Sequence, residues 1–406
     1  MKIIEGGVCA AKGFKAGAMR CGIRKSHTKK DLAMILSDCV CNASAVYTTN
    51  RVKASPILLT KEHLADGKAQ AVIVNSGNAN ACAPFGMENA RRQAKAGARA
   101  LGVSEENVIV ASTGVIGQTL NVAVIEQGMP ELCAAAAHTA AGSDAAAHAI
   151  MTTDTVKKEL AVETVIGGKT VRMGGIAKGS GMIHPNMGTM LCFLTTDCAI
   201  SSEMIKSALL ETVQASFNRI SVDGDTSTND TCCVLANGLA GNPVITEKGP
   251  DYDAFVEALR ALCVELAKKM ASDGEGATHL ITCEVTRAPD LKTARAVSRS
   301  VVCSNLFKAA VFGRDANWGR ILCAIGYTPG DFSIDKVCVW LSSKAGEVYV
   351  CENAAYHPYS EDEAAVVLKE DEIDILVDLG SGDATAKAWG CDLTYDYVKI
   401  NGDYRT

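Results

Sequence analysis

Apolar positions along the 406-residue chain follow two different spacings. Short apolar runs predict β-strands, and apolar residues recurring every three or four positions predict helices. The predicted strands are 71–75, 107–112, 159–166, 169–174, 190–195, 279–286, 336–342 and 372–379. The predicted helices are 86–101, 122–150, 201–217, 251–272 and 290–311. Strands occur both singly before helices and in neighbouring pairs, which indicates a layered α/β sandwich rather than a doubly wound sheet.

Composition narrows the class of function. Hydrophobic residues make up 48% of the chain and charged residues 21%, which is typical of a globular protein. The net charge of −6, without a basic stripe, predicts no nucleic-acid partner. Since no run approaches the roughly 18 apolar residues of a membrane span, we expect no membrane insertion. Small-molecule chemistry is the expectation that remains.

Seventeen cysteines invite a disulfide or metal interpretation. Their number is odd and no Cys-x-x-Cys occurs, which favours buried free thiols in a reducing compartment. Several are predicted to lie inside apolar strands: Cys192, Cys283, Cys323 and Cys338. The pairs Cys39/Cys41 and Cys232/Cys233 have spacings that fit no common zinc pattern, so we expect no metal.

Two predicted strands end in runs of small polar residues. The first is "IVNSGNANAC" at 73–82 and the second "VIVASTGVIG" at 108–117. Asn and Gly suit turns whose backbone NH groups bind anions, and the Thr113–Gly114 pair offers a hydroxyl and a backbone NH for a developing oxyanion. Each run, taken alone, is a weak signal, and an ordinary loop after a strand is the favoured interpretation.

Three other segments resemble known motifs without matching them. "IGGKT" at 166–170 lacks a phosphate-loop glycine, because Glu163 stands in its place. "KGSGM" at 178–182 resembles a nucleophile elbow around Ser180, but Lys178 replaces the first glycine. The acidic loop "DGDTSTND" at 223–230 lacks the calcium-loop glycine, and we favour turn capping there over cation binding.

Thr189 stands at the start of a predicted buried strand, after Gly188 and eleven residues beyond Lys178. A threonine in such a position is usually structural. A threonine can also act as a nucleophile without histidine if its own α-amine is the base. That amine is free only if the Gly188–Thr189 bond is cut, so the pattern raises self-cleavage as a hypothesis.

The ordered motifs resemble the ornithine acetyltransferase (glutamate N-acetyltransferase) family of arginine biosynthesis almost from end to end. In addition to the two strand ends, the matching segments are "GGVCAAKGFKAGAMRCGIR" (6–24), "VYTTNRVKASP" (46–56), "MTTDT" (151–155), "KGSGMIHPNMGTML" (178–191), "DGDTSTNDT" (223–231), "FGRDANWGRI" (312–321) and "DLTYDYVKINGDYRT" (392–406). Members more often carry Ala where this chain has Gly188, and Thr-Gly where it has Ala83-Pro84.

The resemblance implies a fold and a set of site residues. The implied fold is a layered α/β/β/α-type sandwich with a smaller C-terminal α/β portion. Self-cleavage would give an α chain, 1–188, and a β chain, 189–406, that begins at the nucleophile Thr189. Thr113 and Gly114 match the oxyanion hole of the family. The matched substrate-binding positions are Thr152, Lys178, Thr189, Glu275, Asn401 and Thr406.

The implied reaction moves an acetyl group from N-acetylornithine to glutamate through an acetyl-threonine enzyme. The resemblance implies no cofactor, although acetyl-CoA would be a substrate of a bifunctional member. It implies an α2β2 heterotetramer, and because its motifs begin at residue 6 we expect no presequence and a cytoplasmic enzyme. Two alternatives remain: a self-cleaving hydrolase or aminopeptidase, and a metal-binding protein built on the 223–230 loop.

Overall fold

The computed structural model describes residues 1–184 and 190–404. The strands are β1 (Lys2–Ile4), β2 (Phe14–Met19), β3 (Leu32–Tyr47), β4 (Lys68–Asn78), β5 (Val108–Val115), β6 (Lys158–Ile166), β7 (Lys169–Lys178), β8 (Leu191–Thr196), β9 (Ile220–Ser221), β10 (Thr231–Ala236), β11 (Leu280–Ala288), β12 (Cys338–Ser343), β13 (Gly346–Glu352), β14 (Ala355–Tyr356), β15 (Glu372–Asp378) and β16 (Ala384–Cys391). The helices are α1 (Ser55–His63), α2 (Gly86–Leu101), α3 (Val122–Ala135), α4 (Ala140–Ile150), α5 (Ser202–Ala215), α6 (Pro250–Ser272), α7 (Leu291–Cys303), α8 (Asn305–Phe312), α9 (Trp318–Gly326), α10 (Glu361–Val367) and α11 (Tyr395–Asp403). Short 3-10 turns lie at Gly7–Cys9, Leu64–Asp66, Glu105–Asn107 and Phe217–Arg219.

The first sheet runs in the order β1-β6-β7-β8-β10-β3-β4-β5, with β2 paired to β3 off this path. β8 pairs in parallel with β10, and β4 in parallel with β5, whereas the other pairs are antiparallel. The register of β3 against β4 shifts between Leu36 and Cys41. The first half of β3 pairs with β2 and its second half pairs with β10, so one long strand joins the two halves of the sheet.

Helices pack on both faces of this sheet, because successive side chains of each strand point to opposite faces. Ala33 and Ile35 of β3 face a buried cluster shared by both halves of the sheet and α4. The residues between them, such as Met34, face α2 and α3. On the other half of the sheet, alternate side chains of β6, β7, β8 and β10 pack against α5 and α6. The predicted layered α/β class is confirmed.

The second sheet forms the smaller C-terminal portion that the resemblance implies. Its strand order is β14-β13-β12-β15-β11-β16-β9. One face packs on α7, α8 and α9 in a cluster that includes Val297, Phe307 and Ile321. Trp389 and Cys391, on the opposite face of β16, join the cluster around α6. Helix α6 therefore lies between the two sheets and fixes one against the other.

Two predicted helices are wrong in extent. The helix predicted at 122–150 is α3 and α4, and the helix predicted at 290–311 is α7 and α8. In each case a hydroxyl caps a new helix start: Thr139 accepts from the NH of Gly142, and Ser304 accepts from the NH of Phe307. Apolar spacing continues across both breaks, so it could not reveal them.

Burial of the cysteines only partly follows the prediction. Cys192 and Cys283 are buried in β8 and β11. The strand prediction is wrong for Cys323, which is exposed on α9. Within the described residues all the cysteines are free thiols, and no helix is long and apolar enough to cross a membrane.

A buried ionic network joins Asp154 and Lys158, at the start of β6, to Asp273, which follows α6. The Lys158 side chain is fully buried, and its Nζ lies 2.5 Å from Asp154 Oδ1 and also contacts Asp273 Oδ2. Asp273 follows α6 and accepts from the NH groups of Thr155 and Val156. The two carboxylates share one ammonium, so neither is left without a counter-charge in the interior.

Replacing Lys158 by Met is expected to destabilise the fold by about 3–5 kcal/mol, because two buried carboxylates lose the ammonium that they share. Urea unfolding followed by circular dichroism measures the free energy of unfolding. The matched control is Arg91→Met, which removes an ion pair with Glu62 whose side chains are both half exposed, and little change is expected there. Equal destabilisation by the two substitutions would contradict the role assigned to Lys158.

Candidate active site

One cavity of about 320 Å³ brings together the predicted site residues that the structure describes. These are Thr113, Gly114, Thr152, Lys178, Glu275 and Asn401. Met190 and Leu191, which follow the predicted nucleophile in the chain, line the same cavity. The other predicted positions, Gly188, Thr189 and Thr406, lie outside the described residues.

The Thr113–Gly114 pair stands where a glycine of β5 faces a glycine of β4. In the parallel ladder, Gly77 is opposite Gly114 and the register shifts at the next residue. Gly114 has φ +132°, and a Cβ there would lie 2.3 Å from the carbonyl carbon of Gly77. A larger residue would push the strands apart, so glycine is required to hold this end of β5 in place.

Asparagine side chains hold the two strand ends together from behind the cavity. Ser112 Oγ donates to Asn75 Oδ1, and Asn75 Nδ2 donates to the carbonyl of Asn78 at 2.8 Å. Asn229 Nδ2 donates to the carbonyl of Ser112 at 2.8 Å and to that of Ala79 at 2.6 Å. Buried polar groups satisfied in this way make a rigid wall. The loop that carries Asn229 thus reaches both "NSGNAN" and "STG".

Lys178 is the last residue of β7, and it points a nearly buried ammonium into the cavity. Its side chain is 10% exposed, and its Nζ lies 3.4 Å from Thr113 Oγ1 and 3.9 Å from Asp154 Oδ2. Burial lowers the pKa of Lys178, with the Asp154 carboxylate acting in the opposite direction. Its ion pair with Asp154 is long, so the ammonium can also bind a carboxylate in the cavity.

Asp154 positions both Thr152 and Lys178, and sequence reasoning did not identify it. It accepts from the NH of Thr152 at 3.0 Å and from the NH of Gly179 at 2.7 Å. Burial alone would raise the pKa of Asp154, but Lys178 and Lys158 hold it well below its usual range. The motif "MTTDT" contained the signal, since a carboxylate two residues after Thr152 can accept from its backbone NH.

Glu275 and Asn401 meet in the lining of the same cavity. Asn401, on α11, donates from Nδ2 to Glu275 Oε2 at 2.7 Å. A Cβ on Gly181 would lie 2.3 Å from that carboxylate, so the glycine leaves room for Glu275. Tyr404 also lines the cavity. The described part of the C-terminal segment therefore lies against the site.

The structure also shows which contacts are made by residues of the imperfectly matching motifs. Ser180 is fully buried and donates to the carbonyl of Asp273 at 2.7 Å, so it is not exposed as a nucleophile would be. Asp223 accepts from the NH groups of Met182 and Ile183, which is the turn capping favoured for the 223–230 loop. No group of three or more metal-ligating side chains occurs within residues 1–184 and 190–404. Asp230 of the same loop is buried in the cavity wall, a placement the sequence did not indicate.

Comparisons with known proteins identify the family of the chain. The ArgJ family model matches residues 15–406. The chain is 50% identical over 407 residues to the arginine biosynthesis bifunctional protein ArgJ of Caldanaerobacter subterraneus subsp. tengcongensis, with 100% of both chains covered. It is also 50% identical over 412 residues to the protein of the same name in Symbiobacterium thermophilum, again with 100% of both covered.

A solved structure of ornithine acetyltransferase complexed with ornithine, from Mycobacterium tuberculosis, is 37% identical. The match covers 46% of this chain and 98% of that chain, with a TM-score of 0.42. The end-to-end sequence matches and the family model carry the assignment: this chain belongs to the ArgJ family.

Proposed function

We propose that this protein transfers an acetyl group from N-acetylornithine to glutamate through an acetyl-Thr189 enzyme in arginine biosynthesis. One observation carries the proposal: the described residues predicted for such a site line a single cavity, together with Met190, which is bonded to Thr189. The names of the relatives support it, because they are arginine biosynthesis bifunctional proteins and an ornithine acetyltransferase.

The proposed first step is attack of Thr189 Oγ on the acetyl carbonyl carbon, while the Thr189 α-amine accepts the hydroxyl proton. The backbone NH of Gly114 and the hydroxyl of Thr113 stabilise the oxyanion, a contribution of roughly 3–4 kcal/mol for a single donor. The amine then protonates the departing ornithine nitrogen, which leaves an acetyl ester on Thr189. Glutamate attacks that ester with its amino group and regenerates the hydroxyl.

Substrate contacts follow from the charges in the cavity. The Lys178 ammonium would bind a substrate carboxylate, and Glu275 would bind the side-chain ammonium of N-acetylornithine. Thr152, Asn401 and Thr406 would complete the contacts. The Asn401–Glu275 hydrogen bond orients the carboxylate before substrate arrives.

We further propose that the chain cleaves itself between Gly188 and Thr189 into an α chain, 1–188, and a β chain, 189–406. Cleavage creates the α-amine that the mechanism requires. The assembly would be an α2β2 heterotetramer in the cytoplasm. The word "bifunctional" in the names of the relatives supports acetyl-CoA as a second acetyl donor, with no separate cofactor.

Purified protein is expected to give two bands on a denaturing gel, one of them beginning Thr-Met-Leu-Cys on N-terminal sequencing. Thr189→Ala should remain one intact, inactive chain of 42.5 kDa, because it lacks the attacking hydroxyl. The matched control is Thr170→Ala, at an exposed position on β7, which should cleave normally. Full activity in an intact wild-type chain would contradict the role of the Thr189 amine.

Initial rates with both substrates varied are expected to give parallel double-reciprocal lines, since the acetyl group resides on the enzyme between two half-reactions. The same measurement with acetyl-CoA as donor tests the second activity. Intersecting lines would rule out the acetyl-enzyme. Acetate release that does not depend on glutamate would instead identify the hydrolase that the sequence left as an alternative.

The charge of Lys178 should make donor binding sensitive to alkaline pH. Burial lowers the pKa of Lys178, with Lys158 and Arg24 acting in the same direction and Asp154 and Glu275 against it. The KM for N-acetylornithine should therefore rise with pH, from a lower pH than an exposed lysine would give. Lys178→Met should raise KM about 10- to 100-fold at neutral pH, as expected for the loss of one charged hydrogen bond.

Lys178→Arg is the control, because arginine stays protonated throughout this range. The alkaline rise in KM should be absent or shifted upward in that variant. An identical alkaline profile for wild type and Lys178→Arg would show that another group titrates.

A further inference from the structure

A basic loop, residues 20–30, joins β2 to β3. It contains no aspartate or glutamate, and its lysines and arginines are Arg20, Arg24, Lys25, Lys29 and Lys30. The three lysines are exposed and form no ion pair within the part of the chain that the structure describes. So much unneutralised positive charge in one short loop is unexpected in a chain whose net charge is −6. The loop is therefore a candidate surface for an anionic ligand.

The base of the basic loop is held in a defined conformation by Asp31. This aspartate is fully buried, and its carboxylate accepts from the backbone NH groups of Cys21, Gly22 and Arg24 at 2.7, 3.1 and 3.0 Å. Because its hydrogen bonds go to the backbone, Asp31 organises the loop without pairing with the lysine side chains. The loop is a structured part of the fold, and its cations are confined to one small region of the surface.

Arg24 connects the basic loop to the active-site cavity. Its Nη2 donates to the carbonyl of Met151, the residue before Thr152, which lines the cavity. Its side chain also lies against the end of β4, since a Cβ at Gly77 would be 2.7 Å from Arg24 Cγ. Gly77 is opposite Gly114, the glycine of the proposed oxyanion hole. The basic loop is therefore adjacent to the cavity wall that carries that glycine.

One of the proposed substrates of this cavity is strongly anionic. The proposed function, on which this inference rests, includes acetyl-CoA as a second acetyl donor. In acetyl-CoA a long pantetheine arm separates the acetyl thioester from a pyrophosphate and a 3′-phosphate. The cavity, at about 320 Å³, is at the small end of the range for ligand sites. It can take the acetyl end of the molecule, so the phosphate groups have to bind outside it.

We propose that the basic loop binds the phosphate groups of acetyl-CoA while the acetyl thioester occupies the cavity. Ammonium and guanidinium groups form strong charge-assisted hydrogen bonds with phosphate oxygens. N-acetylornithine and glutamate carry no phosphate, so this contact is made by only one of the two acetyl donors. The loop lysines therefore determine the use of acetyl-CoA and leave transfer from N-acetylornithine unaffected.

Initial rates of glutamate acetylation with each donor test this assignment. The loop variant replaces Lys25, Lys29 and Lys30 by Gln, which keeps a long polar side chain and removes the charge. Its KM for acetyl-CoA is expected to rise about 10- to 100-fold, because charged hydrogen bonds to phosphate are lost. Its KM for N-acetylornithine should equal that of the wild type.

The matched control removes the same amount of charge from other exposed lysines. It replaces Lys206 on α5, Lys292 on α7 and Lys336 before β12 by Gln. Both KM values should remain those of the wild type in this control. An equal rise in the KM for acetyl-CoA in the control and in the loop variant would show that only the net charge matters, and would overturn the assignment.

Two further ligands separate phosphate recognition from effects on the acetyl end. S-acetylpantetheine lacks the nucleotide, so its KM should be the same in the wild type and the loop variant. Adenosine 3′,5′-bisphosphate, titrated by calorimetry, should bind the wild type more tightly than the loop variant and more tightly than inorganic phosphate does. Bisphosphate and inorganic phosphate binding with equal affinity would identify a general anion patch and contradict the proposal.

The outcomes distinguish the inference from the function on which it rests. An unchanged KM for acetyl-CoA in the loop variant of an enzyme that uses acetyl-CoA would overturn the inference alone. A wild-type enzyme that forms no N-acetylglutamate from acetyl-CoA would refute the proposed second activity itself. Transfer from N-acetylornithine, measured in the same preparations, shows whether the first activity is intact.

Discussion

Asp154 is a buried carboxylate shared by four groups of the chain: the NH groups of Thr152 and Gly179 and the ammonium groups of Lys158 and Lys178. Through Lys158 the same network reaches Asp273 at the end of α6. A charge in the interior is tolerated only when its partners are held in place. The loop before β6, the end of β7 and the helix between the two sheets therefore have to adopt one mutual arrangement, and the cavity wall depends on that arrangement.

The cavity is electrostatically divided by these constraints. Lys178 provides a positive charge beside Thr113, whereas Glu275 and Asp230 place carboxyl groups elsewhere on the wall. A zwitterionic substrate such as ornithine carries both signs of charge at opposite ends. Groups of both signs in one cavity would favour one orientation of such a substrate, because a reversed pose would place like charges together.

Much of the fold could be predicted from local pattern. Helix α6 follows its apolar spacing, with Phe255, Leu259 and Leu262 buried as the pattern requires. Strand β3 was missed, because its register shift interrupts the alternation and polar residues occupy its second half. Helix breaks at Thr139 and Ser304 were missed because capping hydroxyls leave the apolar spacing unchanged.

In the site, too, some residues are suggested by local sequence and others only by contacts between distant parts of the chain. Thr113, Gly114 and Lys178 were suggested by local sequence, whereas Glu275 and Asn401 were proposed only from the family resemblance. Asp154 and Asp230 were not identified because their places in the site depend on contacts with residues far along the chain: Asp154 is linked through Lys158 to Asp273, and Asp230 is hydrogen-bonded to Thr48. A single sequence does not show which residues lie close together in the fold.

The strand order β7-β8-β10-β3 has a topological consequence for a chain cut before Thr189. β8 and β10 would belong to one fragment, and β7 and β3, on either side of them, to the other. The fragments would be interleaved within a single sheet, joined by the complete β7–β8 and β10–β3 ladders. Separating them would require opening the centre of the sheet, so a broken peptide bond would leave the two pieces held together almost as firmly as one continuous chain.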